Sequence, residues 1–347
     1  MVRQTGSVTL NLVQTRVWRD GECVGKDFPL ADVSEQVKDE NALVWVDLCD
    51  PDHECLTELA AEWSLDPNAI EDAVARGERP KATRYAGHAF VTAYATWFET
   101  DDVSTLGVLD SRLRLSRVSA FVVSNGIITV RRDDRFDMSQ VVERWEEDPA
   151  LLTPGSGALA LLHGLLDAIV DGQFETIETI DDAIEALEEG LFDESAQTRE
   201  IQQRTYRLRK ELVQLRRVVL PMREVVGAVM RGRAESHRDK SPVLDSLYTD
   251  LYDHVTRAAE WTESLRDMVV TVFETNLSLQ DARLNTVMKK LTGWAAIIAV
   301  PTAVTGWFGQ NVLFPGVGQL SGMIVSTIVI VTSASLLYIL FRRRDWL

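Results

Sequence analysis

The feature that most constrains this chain is a gap in its charge. Residues 291–341 contain no Asp, Glu, Lys, Arg or His, a run of 51 positions in a chain that is 26% charged. Two apolar stretches, residues 291–308 and 321–341, are 18 and 21 residues long; a loop at 309–319 with three Gly and one Pro separates them. As helices they would span roughly 27 and 32 Å, matching a bilayer core of roughly 30 Å. A soluble core rarely runs so far without charge, so the sequence predicts a membrane hairpin with spans at 291–308 and 320–341.

The flanks orient it. Lys289 and Lys290 precede the first span, and Arg342, Arg343 and Arg344 open a basic tail at 342–347. Both ends are therefore expected in the cytoplasm, with the loop outside an inner (plasma) membrane. Trp294, Trp307, Tyr338 and Trp346 sit near the span ends, as interfacial aromatics do. No apolar signal segment opens the chain, so the preceding part is expected to stay cytoplasmic.

Charge divides the molecule sharply. Residues 286–347 carry a net +4, and the formal total of −17 leaves −21 on residues 1–285. Such acidity argues against a general nucleic-acid binder, which needs clustered Lys and Arg against phosphate. Cys23, Cys49 and Cys55 lack metal-ligand spacing and read as unpaired thiols in a reducing compartment.

Residues 1–150 read as an α/β domain. Strand patterns lie at 8–18, 42–48, 88–98, 117–124 and 127–132, the last two joined by Asn125-Gly126, a signal for a type I′ hairpin turn. Helical patterns fall at 52–64 and 68–76, the second preceded by Asp66-Pro67. From 151 to 241 a helical hairpin is expected, with patterns at 158–191 and 196–233. A stalk helix then starts at Pro242, covers 242–290 and continues into the first span, about 100 Å in all. Leu247, Leu251, Val255, Ala258, Thr262, Leu265, Val269 and Val272 repeat along it at three- and four-residue steps. That spacing fits either an interface between helices of different subunits or packing within one.

A second stripe runs on into the bilayer: Glu274, Asp281, Asn285, Met288, Leu291 or Thr292, Ala295, Ala299, Thr302 and Gly306. Its chemistry is graded, from acids through Asn and an apolar band to Thr and Gly. In an oligomer with this face inward, stacked rings would attract cations, form a hydrophobic gate and offer neutral oxygens. The plainer alternative is a helix-packing face of a membrane anchor. Enzymatic motifs are missing: no Walker loop, His-Glu-x-x-His, Gly-x-Ser-x-Gly or dinucleotide fingerprint occurs, and His53, His88, His163, His237 and His254 are scattered.

Several segments resemble one family in order along the chain. They are Arg79-Pro-Lys81, Leu208-Arg-Lys-Glu-Leu212, Arg216-Arg-Val-Val-Leu-Pro221, the segments 247–254 and 285–292, Gly306-Trp-Phe-Gly-Gln-Asn311 and the tail Arg342-Arg-Arg-Asp-Trp-Leu347. On these the chain resembles the CorA family of divalent-cation channels. The resemblance implies an αβα cytoplasmic domain, long stalk helices and a homopentameric funnel whose first span lines the pore. It implies Mg²⁺ influx, with Co²⁺ and Ni²⁺ admitted, gated by cytoplasmic Mg²⁺ bound between subunits.

Gly309-Gln310-Asn311 stands where the family has Gly-Met-Asn, and Asn311 matches the filter asparagine. A ring of amide oxygens suits Mg²⁺, which sheds water reluctantly. Gln310 departs from the pattern, as does a loop without the acids common in the family; zinc transporters of the ZntB type also vary the middle position. Asp250 matches the family's regulatory carboxylate, and Asp253 lies one turn on; Glu99, Asp101 and Asp102 are candidates for the other half of that site. Three readings follow: a Mg²⁺-type channel, a Zn²⁺ transporter, and a non-conducting membrane-anchored cation sensor. All three place the protein among membrane lipids, and none requires nucleic acid.

Overall fold

The computed structural model describes residues 13–51, 53–75, 77–99, 112–153, 156–192, 198–235, 241–310, 315–316, 318–344 and 346. The chain divides into two compact units, Met1–Val270 and Thr271–Leu347.

The first unit is built on one mixed sheet. Its strands are β1 (Val13–Arg19), β2 (Glu22–Lys26), β3 (Ala42–Cys49), β4 (Lys81–Arg84), β5 (Ala89–Glu99), β6 (Arg112–Val123) and β7 (Gly126–Arg131). They lie in the order β2-β1-β3-β7-β6-β5-β4. Among the described residues only β3 and β7 pair in parallel; the other ladders are antiparallel. Residues 8–12 of the first expected strand lie outside the described residues.

Alternation along each strand feeds two cores. From β3, Val44, Val46 and Leu48 face one core with Phe90, Phe121 and Ile128. That core is closed by helices α1 (Leu30–Val37), α2 (His53–Trp63) and α3 (Pro67–Val74). Leu43 and Trp45 face the other core, with α4 (Met138–Glu147), α5 (Gly157–Leu191), α7 (Met222–Glu235) and the start of α8 (Pro242–Phe308). The unit is thus a three-layer αβα sandwich, as expected from its sequence.

Local chemistry explains the element ends. The Asp66 carboxylate accepts from Asn68 N–H at 2.9 Å and caps α3, with Pro67 in its first turn. Asp137 does the same for α4 through Ser139 N–H. The expected helix at 196–233 is two helices, α6 (Thr198–Val219) and α7, because Pro221 has no N–H to continue α6. The Pro221 carbonyl instead accepts from Glu224 and Val225 at the start of α7.

The β6–β7 hairpin is present, but its turn differs from expectation. Val123 pairs with Gly126, so Ser124 and Asn125 form the turn, and neither has positive φ. Gly126 is required for closeness rather than left-handed backbone: a Cβ there would meet the Val44 carbonyl oxygen at 2.6 Å. Asn125 is held by donating its side-chain N–H to Val37 O at 2.6 Å.

Buried polarity is concentrated beneath the sheet. Asp47, fully buried, receives Arg131 Nε at 3.0 Å and Nη2 at 2.6 Å, and Thr129 Oγ1–H at 2.6 Å. Trp45 Nε1–H donates to Thr129 Oγ1 at 3.0 Å. No disulfide joins Cys23, Cys49 or Cys55.

The second unit holds the end of α8 and α9 (Leu320–Arg343), the two helices long and apolar enough to cross a membrane among the described residues. α8 is unbroken from Pro242 to Phe308, although Pro301 lies inside it. Thr305 Oγ1–H donates to the Pro301 carbonyl at 2.8 Å one turn later. The turn before α9 depends on glycine: Gly316 has φ +99°, and a Cβ on Gly322 would lie 2.4 Å from Gly316 O.

Candidate ion pathway and cation sites

In the first unit, α8 is anchored by its apolar face. Leu244, Tyr248, Leu251 and Val255 join the core beneath the sheet, and Ala258, Thr262, Leu265, Val269 and Val272 are also buried in the single chain. The repeat that sequence left open between subunit contact and internal packing is therefore internal. Polar ties fix its register. Tyr248 Oη–H donates to Leu159 O at 2.9 Å, Arg233 reaches Asp245 at 2.7 Å, and Arg216 Nη2 reaches Glu263 at 2.6 Å. His163 Nε2–H faces Leu247 O at 3.2 Å; burial pushes its pKa down, opposed by the nearby Asp167 and Asp250 carboxylates.

With that face buried, Asp250 and Asp253 are left on the outside. The Asp250 side chain is 70% exposed, and His254 Nε2 stands 3.8 Å from its Oδ2. Asp253, also exposed, follows three residues later on the same side. The pair offers hard oxygen ligands suited to Mg²⁺, but only part of a coordination shell. Among the described residues, no group of three or more His, Cys, Asp or Glu converges on one point. Glu99 is paired with Arg114 at 2.5 Å across the sheet, while Asp101 and Asp102 lie outside the described residues.

In the second unit the stripe chosen from sequence lies open along its full length. Glu274, Asp281, Asn285, Met288, Leu291, Thr292, Ala295, Ala299, Thr302 and Gly306 are all exposed. A Cβ on Gly306 would meet nothing within 4 Å. Thr302 Oγ1–H is bonded to Ile298 O at 3.2 Å, so its oxygen lone pairs stay available on that face. The covered side of α8 is elsewhere: Gly293 is buried, and Ala296, Ile297, Val300, Val304 and Phe308 are half-buried. On α9 the matching covered positions are Gly322, Ser326, Ile330, Ser333, Ala334, Leu337 and Phe341. Gly322 is covered by the backbone of Gly316, and the Trp294 and Tyr338 rings stand 6.5 Å apart between the two helices.

Away from that helix-facing side, α9 exposes Met323, Ile324, Val325, Ile328, Val331 and Ile339, side chains fit for acyl chains. One feature went unread in the sequence. Phe273, Leu277, Leu284 and Val287 form an exposed apolar strip beside the graded stripe, before the first span begins. Their spacing of three, four and seven was the signal for it. At the loop, Gly309 N–H bonds Thr305 O at 2.8 Å, and Gly309 and Gln310 are exposed; Asn311 lies outside the described residues.

The CorA-like Mg²⁺ transporter protein family model matches residues 40–343, nearly the whole of this architecture. The chain belongs to the CorA-like family. It is 27% identical over 332 residues to the cobalt/magnesium transport protein CorA of Thermotoga maritima, covering 93% of this chain and 89% of that one. It is 26% identical to the putative metal ion transporter YfjQ of Bacillus subtilis, covering 82% and 83%. In fold it resembles the complete CorA magnesium transporter structure from Methanocaldococcus jannaschii, with TM-score 0.70, 19% identity and 97% and 99% coverage. The ZntB cytoplasmic domain from Vibrio parahaemolyticus also shares the fold over 78% of this chain and 98% of that one, with TM-score 0.56 and 11% identity. As a CorA-family chain the protein is a divalent-cation transporter of the membrane and not an enzyme.

Proposed function

We propose that the protein is a Mg²⁺ channel of the inner membrane, admitting Co²⁺ and Ni²⁺, in which five copies bring their α8 helices around one axis. The observation that carries this reading is the open stripe from Glu274 to Gly306, set within the first span against a covered opposite face from Gly293 to Phe308. A single hairpin encloses nothing, so the stripe acquires a function only when copies share it. The exposed strip Phe273, Leu277, Leu284 and Val287 supports assembly, since these side chains precede the spans and would otherwise stand in water.

In that arrangement the rings do different work. Glu274 and Asp281 concentrate cations at the cytoplasmic end, and Asn285 offers amide oxygens. Met288, Leu291 and Ala295 form a band that blocks ions by dewetting. Thr302 and the Gly309-Gln310-Asn311 loop meet the hydrated ion from the other side, where neutral oxygens can hold its water shell without stripping it. Regulation is assigned to Asp250 and Asp253. Their incomplete shell calls for ligands from a neighbouring copy, so a bound cation would tie subunits together and relieve repulsion within a −21 cytoplasmic part.

A second reading, a Zn²⁺ transporter, is favoured by Gln310 in place of Met and by a loop, residues 309–319, without acid. Liposome flux of Mg²⁺, Co²⁺ and Zn²⁺, with and without a pH gradient, tests both. Mg²⁺ and Co²⁺ entry independent of the pH gradient is the expected result. Zn²⁺ flux that follows the gradient would replace the first reading by the second, and no flux of any ion would leave a cation sensor.

A further inference from the structure

The five basic side chains that bracket the hairpin lie near one level along its two helices. The Trp294 and Tyr338 rings, 6.5 Å apart, set the register of α8 against α9. Four residues from each, in the direction away from the loop, lie Lys290 and Arg342. An equal step of about 6 Å along both helices therefore puts them at the same height. Lys289, Arg343 and Arg344 adjoin them, and all five are exposed.

The end of α9 is shaped to hold that height. Arg344 N–H and Trp346 N–H both bond to Phe341 O, at 3.2 and 3.0 Å, folding the tail back. The Trp346 indole stacks on Phe341 with ring centres 5.4 Å apart and planes 7° from parallel. The three guanidinium groups thus leave the chain within one tight turn, above an aromatic pair suited to the headgroup boundary.

We propose that Lys289, Lys290, Arg342, Arg343 and Arg344 form a clamp for anionic phospholipid headgroups in the leaflet on that side. Guanidinium forks grip phosphate oxygens in pairs, and the ammonium groups add point charge. The partner's sign follows from charge complementarity. Residues 1–285, at −21, are repelled by an anionic surface, and the basic level offers the compensating attraction where α8 enters the bilayer. The proposal rests on the hairpin crossing a bilayer and is independent of which ion passes.

The test is native mass spectrometry of the full-length protein after incubation with phosphatidylglycerol or phosphatidylcholine. Phosphatidylglycerol should be retained under activation that strips phosphatidylcholine, with affinity falling about fivefold for each basic side chain neutralised. K289Q/K290Q and R343Q/R344Q should each lose the preference, and R343K/R344K, which keeps the charge but not the forks, should keep a weaker one. If the neutral variants fail to insert, a salt titration of the unaltered protein decides: preference that fades with salt supports the clamp, and salt-independent binding overturns it. Equal retention of the two lipids also overturns it. Carbonate extraction checks the underlying reading separately, since release from the membrane would remove the hairpin itself, whereas absent ion flux with retained phosphatidylglycerol leaves the clamp standing.

Discussion

Two stretches of one helix behave in opposite ways. Along α8 from Leu244 to Val269 the apolar face is sealed inside its own chain; Leu251 is 0% exposed. From Phe273 to Ile298 equally apolar side chains stand open, Leu291 at 63%. Helical periodicity is the same in both, so periodicity reports only that a face needs a partner. What differs is the neighbour: a sheet and three helices upstream, and a single thin hairpin partner downstream. The open stretch is therefore where other molecules complete the structure, be they lipid, ion or a second copy.

The most severe way to probe the sealed side is beneath the sheet. Asp47→Ala leaves Arg131 buried without its carboxylate, and a loss of about 3–5 kcal/mol is expected in thermal or denaturant unfolding of the full chain. The comparison within α8 is sharpened by one substitution made twice. Leu251→Ala should cost about 2–5 kcal/mol through the cavity it leaves. Leu291→Ala should alter the unfolding of the cytoplasmic unit by less than about 0.5 kcal/mol. Equal effects would mean the two faces are not distinct.

Function should divide in the same way. Asp250→Ala removes an exposed carboxylate whose nearest partner is His254 at 3.8 Å, so unfolding should change by less than about 1 kcal/mol while inhibition of flux by internal Mg²⁺ moves to concentrations about tenfold higher. Unaltered inhibition would take Asp250 out of the regulatory site. Val312→Glu adds an acid to a loop that has none and should raise uptake at low cation concentration by about two- to threefold.

The smallest effect is a pH dependence confined to the sealed side. Burial pushes the pKa values of His88 and His163 down. Below about pH 6.5 the unfolded chain then binds protons that the folded chain refuses, so stability is full above that pH and declines on acidification. His163→Gln should make the decline shallower in unfolding measured across that range.

Much of this architecture is legible in the order of the amino acids. The hairpin, the long α8, the α/β class and the membership of the graded stripe follow from charge gaps, alternation and spacing, and the αβα layering from the family resemblance. What escapes does so for physical reasons. β2 and β4 are short edge strands, Glu22–Lys26 and Lys81–Arg84, with too few apolar residues to alternate; ladder bonds to β1 and β5 create them. α1 and α4 are short helices whose apolar residues have no visible destination until the sheet provides one. The break at Pro221 is readable from proline alone, and the turn at Ser124-Asn125 is not, because crowding by Val44 rather than backbone handedness calls for Gly126.

By itself the sequence pointed to where lipid rather than water is the solvent, since two uncharged apolar runs of 18 and 21 residues are each long enough to cross a bilayer core. It also determined which residues share a helical face, because spacing fixes angle. Only the tertiary structure decided which of those faces is already covered. Coverage depends on neighbours distant in the chain, and no local pattern records whether a face that must be buried has found its partner within the same molecule.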